Sequence, residues 1–177
     1  MRIPLFACMA IALGLTAAPT AQSATTNQYS VFAGGNCQLS IPTTDTKFRP
    51  RATGARNEST TTGSFVICPF ASPSSGGVST LLYFYATLYS IDGNAHNNVS
   101  CTGVTGVQSL SLPPVYSTQL VTIPATGAAQ ILWQGSNFGG IDGTVIAGST
   151  GASVTCNLPP QTGIDILVTN YNQEIGT

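Results

Sequence analysis

Charged side chains are scarce in this sequence. Lysine, arginine, aspartate and glutamate together make up 6% of its 177 residues, and histidine and tryptophan each occur once. A helix-rich protein needs charged faces, and a disordered chain that repels itself needs net charge, so neither class fits. Threonine, serine, asparagine, glutamine and glycine supply the polarity instead. This mixture is typical of strands and turns.

Long apolar runs are also scarce. One such run, Ile3 to Leu15, follows a positive start at Met1-Arg2 and precedes the small residues Ala21-Gln22-Ser23. This order predicts a secretory signal peptide over 1–23, cleaved near Ser23, and a single domain over 24–177 that is secreted or periplasmic. No other run reaches the length of a membrane span, so we expect no span in the mature chain.

Cysteine occurs five times, and Cys8 lies in the predicted signal peptide. The even number that remains in an exported chain predicts two disulfides. The four cysteines are Cys37, Cys68, Cys101 and Cys156. Three connectivities are open, and we favour Cys37–Cys68 with Cys101–Cys156, which pairs each half of the chain within itself. No C-x-x-C pair is present, so neither a zinc site nor another metal or cofactor is expected.

Three of these cysteines share a local pattern. Each follows a valine by two residues, in Val66-Ile67-Cys68, Val99-Ser100-Cys101 and Val154-Thr155-Cys156. Residues two apart in a strand point to the same face, so the pattern predicts that each valine lies beside its cysteine on a buried side. Pro69 is expected to end the first of these strands.

The longest predicted strand runs from Val78 to Ser90. Its alternation places Leu82, Phe84, Ala86 and Leu88 inward and the tyrosines between them outward. Counting similar segments between glycine, proline and asparagine turns gives about nine short strands, among them Thr144 to Ala147 and a last one with alternating Ile164, Ile166 and Val168. The predicted fold is an all-β, antiparallel β-sandwich, of the Greek key or jelly roll kind, with two disulfides.

The sequence resembles a group of uncharacterised secreted bacterial proteins with four cysteines. The residues that carry the resemblance are Asn36-Cys37-Gln38, Asn57-Glu58-Ser59-Thr60 with Val66-Ile67-Cys68-Pro69, the central strand and turn ending at Asp92, and Cys156-Asn157-Leu158-Pro159-Pro160. The segment between Ser109 and Ser117 is an insertion relative to that pattern. The resemblance implies an exported all-β domain and implies no activity.

Residues that could carry catalysis are few. His96, the single histidine, lies in the turn Asp92-Gly93-Asn94-Ala95-His96, and no G-x-S-x-G element accompanies it. Asp92 and Asp142 both precede glycine, as turn residues do, and sequence pairs no two carboxylates for glycosidase chemistry. We therefore expect no catalytic residue, no metal ligand and a non-enzymatic protein.

Two sets of residues are candidate ligand contacts. The first is aromatic, because exposed rings on a sheet bind sugars or partner proteins at little entropic cost. It comprises Tyr83, Tyr85 and Tyr89, unless this face is the second buried side of a central strand or is covered by a loop. The second contains every basic residue beyond the signal peptide, within ten positions. It comprises Lys47, Arg49, Arg51 and Arg56.

The basic set has two interpretations. In a strand, Lys47, Arg49 and Arg51 share a face that could hold phosphate or carboxylate groups. Alternatively, the charges and Pro50 protect an edge strand from aggregation. The sequence thus predicts an exported, non-enzymatic binding or surface-structural module for a sugar, anionic polysaccharide or cell-surface component, with no specific nucleic acid partner. A pilus- or coat-type subunit assembled by strand donation is the first alternative, and a small secreted hydrolase is the second. The oligomeric state stays open.

Overall fold

A computed structural model describes residues 24–40, 47–71, 80–108, 113–149 and 151–175. In this part the chain folds into an antiparallel β-sandwich of two packed sheets with two disulfides, which confirms the predicted fold class. The predicted signal peptide, 1–23, lies outside the described residues, as do the serine- and proline-rich segment 72–77 and the first two residues, 78–79, of the longest predicted strand. Among the helices of the described ranges, none has the length and apolar character needed to cross a bilayer.

Eleven strands are present in the described residues, against about nine expected. The additional strands are short and lie in the polar segment before residue 58, where no apolar alternation marks them. The strands are β1 Ala24–Ala33, β2 Gln38–Leu39, β3 Phe48–Arg51, β4 Gly54–Asn57, β5 Ser64–Phe70, β6 Leu81–Ser90, β7 His96–Thr105, β8 Val115–Ile123, β9 Ala128–Gln134, β10 Ala152–Leu158 and β11 Thr162–Ile175.

The long last strand organises one of the two sheets. The six-stranded sheet has the order β3-β4-β11-β6-β9. Strand β4 pairs with the first residues of β11, and β1 pairs along the same edge with the rest of β11, from Ile166 onward. The five-stranded sheet has the order β2-β5-β10-β7-β8. Strand β11 therefore lies in the interior of its sheet, with β6 on one side and with β4 and then β1 on the other.

The valine–cysteine pattern defines the core side of the five-stranded sheet. All six of its residues are buried, on β5, β7 and β10. Cys101 is the register partner of Cys156 and is bonded to it, and Cys37, just before β2, is bonded to Cys68 of β5. This is the connectivity favoured from the sequence, and each bridge joins neighbouring strands of one sheet.

Aromatic packing fills the space between the sheets. Trp133 of β9 is fully buried, stacks on Phe84 with ring centroids 5.4 Å apart, and donates a 2.9 Å hydrogen bond from Nε1 to the Ser117 carbonyl. Gly103 of β7 makes room for it, since a Cβ there would lie 2.6 Å from the indole ring. The bond to Ser117 ties the edge strands β9 and β8 of the two sheets together.

Two expectations about strand ends are wrong. Strand β5 does not stop at Pro69, which pairs with Ser153 of β10, but continues to Phe70. Beyond Ile67 no described strand lies on the β2 side of β5, and proline is tolerated at such an edge. The segment 144–147, expected to be a strand, is a turn in which Ile146 alone is buried.

Two irregularities also change the predicted faces. A register shift near Leu82 places Leu81 in the core instead, while Phe84, Ala86 and Leu88 point inward as expected. A second shift in β11 separates Ile164 from Ile166 at Asp165. Because a bulge moves the residues after it to the opposite face, Ile164 and Leu167 are core residues. The prediction that Ile164, Ile166 and Val168 share one face is therefore wrong.

Candidate binding face

The predicted tyrosines share the outer surface of the six-stranded sheet. Tyr83, Tyr85 and Tyr89 lie on β6, between β11 and β9, and all three are half-buried. They face away from the core because Phe84, Ala86 and Leu88 on the same strand point into it. From Tyr83 to Tyr89 the strand covers roughly 20 Å at about 3.4 Å per residue.

Strand β1 adds a fourth ring that the sequence reasoning missed. Tyr29 is 60% exposed and packs edge-on against Tyr83, with ring centroids 6.4 Å apart. Burial and a hydrogen bond with Tyr29 raise the pKa of Tyr83 to about 12, so the Tyr83 hydroxyl stays protonated at neutral pH. The alternation of Tyr29 and Val31 was the available signal, but it did not reveal that β1 pairs beside β11. We call the surface formed by Tyr29, Tyr83, Tyr85 and Tyr89 the tyrosine face.

Apolar side chains form the base and margins of the tyrosine face. Val168 of β11 is opposite Tyr85 on one side and Val31 on the other, and it is only 2% exposed although it lies on the outer surface. Leu132 and Ile166 flank this centre and remain 36% and 38% exposed. The tyrosine face is thus a partly exposed apolar surface, of the kind against which aromatic rings and sugar C–H groups pack.

Tyr89 lies at the other end of the tyrosine face, against backbone. Its register partner Gly163 has no side chain, and a Cβ at that position would be 2.7 Å from the Tyr89 ring. Arg56, the next residue across the sheet, donates from Nε to the Tyr89 hydroxyl at 2.7 Å. The glycine lets the ring lie close to the sheet, and the arginine fixes its hydroxyl.

The basic residues form a hairpin beside this end of the face. Strands β3 and β4 pair so that Arg49 is opposite Arg56, and Phe48 points the other way and packs against the core. Glu58 makes ion pairs with Arg49, at 3.5 Å, and with Arg51. The Arg51 hydrogen bond is the main cause of the lowered pKa of Glu58. The structure thus brings Arg56 to Tyr89, while Glu58 offsets two of the other charges; Lys47 is exposed at the start of the hairpin.

A concavity of about 380 Å³ opens between Tyr89 and the hairpin. It is lined by Thr53, Arg56, Tyr89, Asp165 and Ile166, and we call it the arginine–aspartate pocket. Asp165 occupies the bulge of β11, and desolvation raises the pKa of its carboxyl group. Its Oδ1 is buried without a hydrogen-bond donor in the described structure. Sequence reasoning missed this residue, because nothing local marks the bulge.

His96 is the first residue of β7 and follows the bend that contains Asp92. Its Nε2 is 3.2 Å from Asp92 Oδ1 and 3.5 Å from Ser90 Oγ, and the Ser90 hydroxyl donates to the same aspartate oxygen at 2.8 Å. A serine triad needs the serine and the carboxylate on opposite ring nitrogens, with the hydroxyl directed at histidine. Hydrogen bonds from Asn94 and Ser90 lower the pKa of Asp92, so its carboxylate holds the turn together.

The other turn carboxylate has a similar structural environment. Asp142 accepts hydrogen bonds from the Ser136 backbone N–H at 2.8 Å and from the Gln134 side chain. Hydrogen bonding to the Ser136 side chain and backbone, and then to Gln134, lowers the pKa of Asp142. Within the ranges that the structure describes, no group of three or more histidine, cysteine, aspartate or glutamate side chains could hold a metal ion.

Comparison with known proteins gives little further information. No protein-family model matches the chain, and no curated protein matches it. Among solved structures, it is similar to a family 11 carbohydrate-binding module from Clostridium thermocellum, solved in complex with a β-1,3-1,4-mixed-linked tetrasaccharide. The match covers 84% of this chain and 89% of the module, with 14% identity and a TM-score of 0.34. At that TM-score the similarity does not indicate what this chain binds.

Proposed function

We propose that this protein is an exported, non-enzymatic module that binds carbohydrate on the tyrosine face. The observation that carries the proposal is the row of half-buried tyrosines on a regular sheet, extended by the exposed Tyr29. Aromatic rings present a rigid apolar area with a polar rim, which suits sugar rings that have apolar C–H faces and hydroxyl edges. The row of roughly 20 Å suits an extended glycan better than a single sugar.

Polar groups at both ends of the tyrosine face support the same proposal. Near Tyr83, the side-chain amides of Asn27 and Asn170 bond to each other in both directions, at 2.6 and 3.0 Å. Near Tyr89, Arg56 and Asp165 line a pocket. An apolar surface with a few fixed polar groups at its ends is a common form of ligand site, because the polar groups set orientation and specificity.

The first alternative, a subunit assembled by strand donation, receives less support. A donated strand needs an unfilled position in the sheet, and the alternating C-terminal segment that would be compatible with strand donation is β11. That strand is paired on both sides within its own chain, and β1 pairs with it over ten residues, from Ala24 to Ala33. The second alternative, a hydrolase, would need a triad geometry that Ser90, Asp92 and His96 do not form.

Retention on polysaccharides tests the proposal. The purified domain would be run in affinity gels containing cellulose derivative, xylan, mixed-linked β-glucan, pectin or heparin. We expect retention by at least one, and we expect Tyr85→Ala to weaken it at least about tenfold, because a buried aromatic contact contributes more than about 1.4 kcal/mol.

The matched control is Tyr116→Ala. Tyr116 is 62% exposed on β8, in the other sheet, so its removal changes the aromatic surface without touching the tyrosine face. It should leave retention unchanged. Retention that falls equally in both variants, or no retention by any of the five matrices, would contradict the proposal.

A further inference from the structure

We infer that the arginine–aspartate pocket is the subsite that gives the tyrosine face its specificity, and that it holds a neutral sugar ring through two neighbouring hydroxyls. This inference rests on the proposed function. It names the class of sugar and the two side chains, Arg56 and Asp165, that would recognise it. Three observations lead to it: an acceptor without a donor, a donor group with room for acceptors, and an aromatic wall between them.

Asp165 supplies the unused acceptor. Its carboxylate lines the pocket, and its Oδ1 is buried with no donor in the described part of the chain. Backbone hydrogen bonds from Ile166 and Asp165 lower the pKa of the carboxyl group and so offset part of the desolvation that raises it. A ligand O–H that donates to the carboxylate from the pocket would stabilise its charge further.

Arg56 supplies the donors. Its Nε–H is donated to the Tyr89 hydroxyl, which holds the guanidinium in one orientation beside the pocket. No acceptor on a described residue bonds to its two terminal nitrogens, which therefore remain available to oxygens of a ligand. Adjacent hydroxyls on a pyranose can accept from the guanidinium and donate to a carboxylate at the same time, since each hydroxyl is both donor and acceptor.

Tyr89 forms the aromatic wall of the pocket. The ring lies against Gly163, and the guanidinium carbon of Arg56 is 5.7 Å from the ring centroid, so the tyrosine and the arginine together form one wall of the pocket. The concavity of about 380 Å³ is large enough for one sugar ring, and it joins the tyrosine face at Ile166. A glycan chain lying along the tyrosine face would therefore reach the pocket at one end.

The charges favour a neutral ligand over an anion. An anionic group would meet Arg56 but also the carboxylate of Asp165 within the same pocket. The neighbouring Arg49 and Arg51 are paired with Glu58 and so attract an anion less than their number suggests. A neutral diol can hydrogen-bond to both Arg56 and Asp165 without repulsion. A uronate or sulfate group would be attracted by Arg56 but repelled by the carboxylate of Asp165.

The test uses calorimetric titration with named oligosaccharides. Cellohexaose, xylohexaose and chitohexaose are the neutral probes, and hexagalacturonate and a heparin hexasaccharide are the anionic probes. At least one neutral probe should bind the wild type. Asp165→Asn and Arg56→Met should each weaken that binding about tenfold or more, since hydrogen bonds to charged groups contribute roughly 1.5–3 kcal/mol. Tyr116→Ala is the matched control, and melting curves verify that each variant is folded.

The pH dependence gives an independent readout. The charged or titratable groups near Asp165 are Arg56 and Tyr89 in the pocket, with Arg49, Arg51 and Glu58 on the adjoining hairpin. Desolvation raises the pKa of Asp165 above the usual value for aspartate. Binding of a neutral probe should strengthen as pH rises through the pKa of Asp165 and its carboxyl group ionises. The dependence should vanish in Asp165→Asn. Binding of an anion would instead weaken as pH rises.

The outcomes separate the two proposals. Neutral binding that both variants weaken, with the rising pH profile, supports the subsite. Neutral binding that Tyr85→Ala weakens but Asp165→Asn and Arg56→Met leave unchanged overturns the subsite and keeps the binding face. Binding to the anionic probes alone overturns the neutral-sugar inference and keeps a glycan function. Binding to none of the five probes overturns the subsite, and failure of the polysaccharide gels as well overturns the proposed function.

Discussion

Asp165 shows how one residue of the proposed binding pocket can lower the stability of the fold. It interrupts β11 with a bulge, its Oδ1 is buried without a donor, and desolvation raises its pKa. Because the folded-state pKa lies above the unfolded value, its contribution favours the folded state at low pH and is lost as pH rises through the folded pKa. Such a cost is often retained where a group must meet a ligand.

Asp165→Asn should therefore raise the melting temperature at pH 7, because the neutral amide removes a partly buried charge. The difference from the wild type should shrink as pH falls through the raised pKa of Asp165, because the wild-type carboxyl group then also becomes neutral. Scanning calorimetry at several pH values measures both effects. A variant that melts lower than the wild type at pH 7 would show that Asp165 has a stabilising partner.

Asp92→Asn is the opposite case. Hydrogen bonds from Asn94 and Ser90 lower the pKa of Asp92, so its contribution is present above the unfolded pKa of about 3.9 and is lost as pH falls through the folded pKa. The substitution should lower the melting temperature at neutral pH. Because Asp92 lies in the turn and not on the tyrosine face, polysaccharide retention should stay unchanged. A loss of retention in a variant that remains folded would instead place a function at the Asp92–His96 turn.

At the scale of elements, the β3–β4 hairpin combines two roles that the sequence left as alternatives. β3 is an edge strand of the six-stranded sheet, and its arginines and Pro50 fit the protection of that edge. Arg49 is also opposite Arg56, which reaches the tyrosine face. Glu58 limits the positive field of this edge by pairing with Arg49 and Arg51.

Removing Glu58 should expose that field. Glu58→Gln should elute from heparin at higher salt than the wild type, because two arginines lose their carboxylate partner. Arg49→Gln with Arg51→Gln should elute at lower salt, and screening should weaken all of these interactions as ionic strength rises. Identical elution of the wild type and Glu58→Gln would mean that the hairpin does not contact anions. If the double variant self-associates, edge protection is the role to retain.

The packing of β9 onto β7 gives a second prediction at this scale. Gly103→Ala would place a methyl group 2.6 Å from the Trp133 ring, which is fully buried and cannot move without disturbing Phe84. We expect a loss of about 1–3 kcal/mol in the free energy of unfolding, measured by urea denaturation. Ser153→Ala, on the outer side of β10, should change it by less than about 0.5 kcal/mol. An equal effect of both substitutions would contradict the described packing.

Local pattern determines what the sequence could predict about these elements. The valine–cysteine pattern and the alternation of Phe84, Ala86 and Leu88 depend on period-two geometry, and both are buried as predicted. The bulge at Asp165 and the shift near Leu82 depend on pairing with distant strands, which no local period reports. The tyrosines of β6 could be predicted to share one face, because they alternate along a single strand. Tyr29 and Asp165 could not be added to them from the sequence, because they lie on β1 and β11 and their position depends on strand pairing.

At the scale of the whole molecule, the disulfides stabilise the sheet opposite the tyrosine face. Both bridges connect neighbouring strands of the five-stranded sheet, over sequence separations of 31 and 55 residues. The six-stranded sheet contains neither bridge and depends on strand pairing with β11 and on the shared core. Stability and proposed binding thus belong mainly to different sheets.

Replacing Cys101 and Cys156 together by alanine should cost about 3–4 kcal/mol, because the unfolded chain regains the freedom of the closed loop. The same change at Cys37 and Cys68 should cost about 0.5 kcal/mol less, since its loop is shorter. Denaturant unfolding of the two double variants measures both. Non-reducing peptide mapping of the wild type should find no free thiol, and a peptide joining Cys37 to Cys101 would contradict this connectivity.

The position of a bound glycan tests the account most directly. Backbone amide shifts would be recorded by nuclear magnetic resonance while the oligosaccharide that binds in the calorimetric titrations is added. The account predicts the largest shifts around Tyr29, Tyr83, Tyr85 and Tyr89 and at Arg56, with little change on the five-stranded sheet. Shifts concentrated instead around Tyr116 on β8, or around the His96 turn, would contradict it.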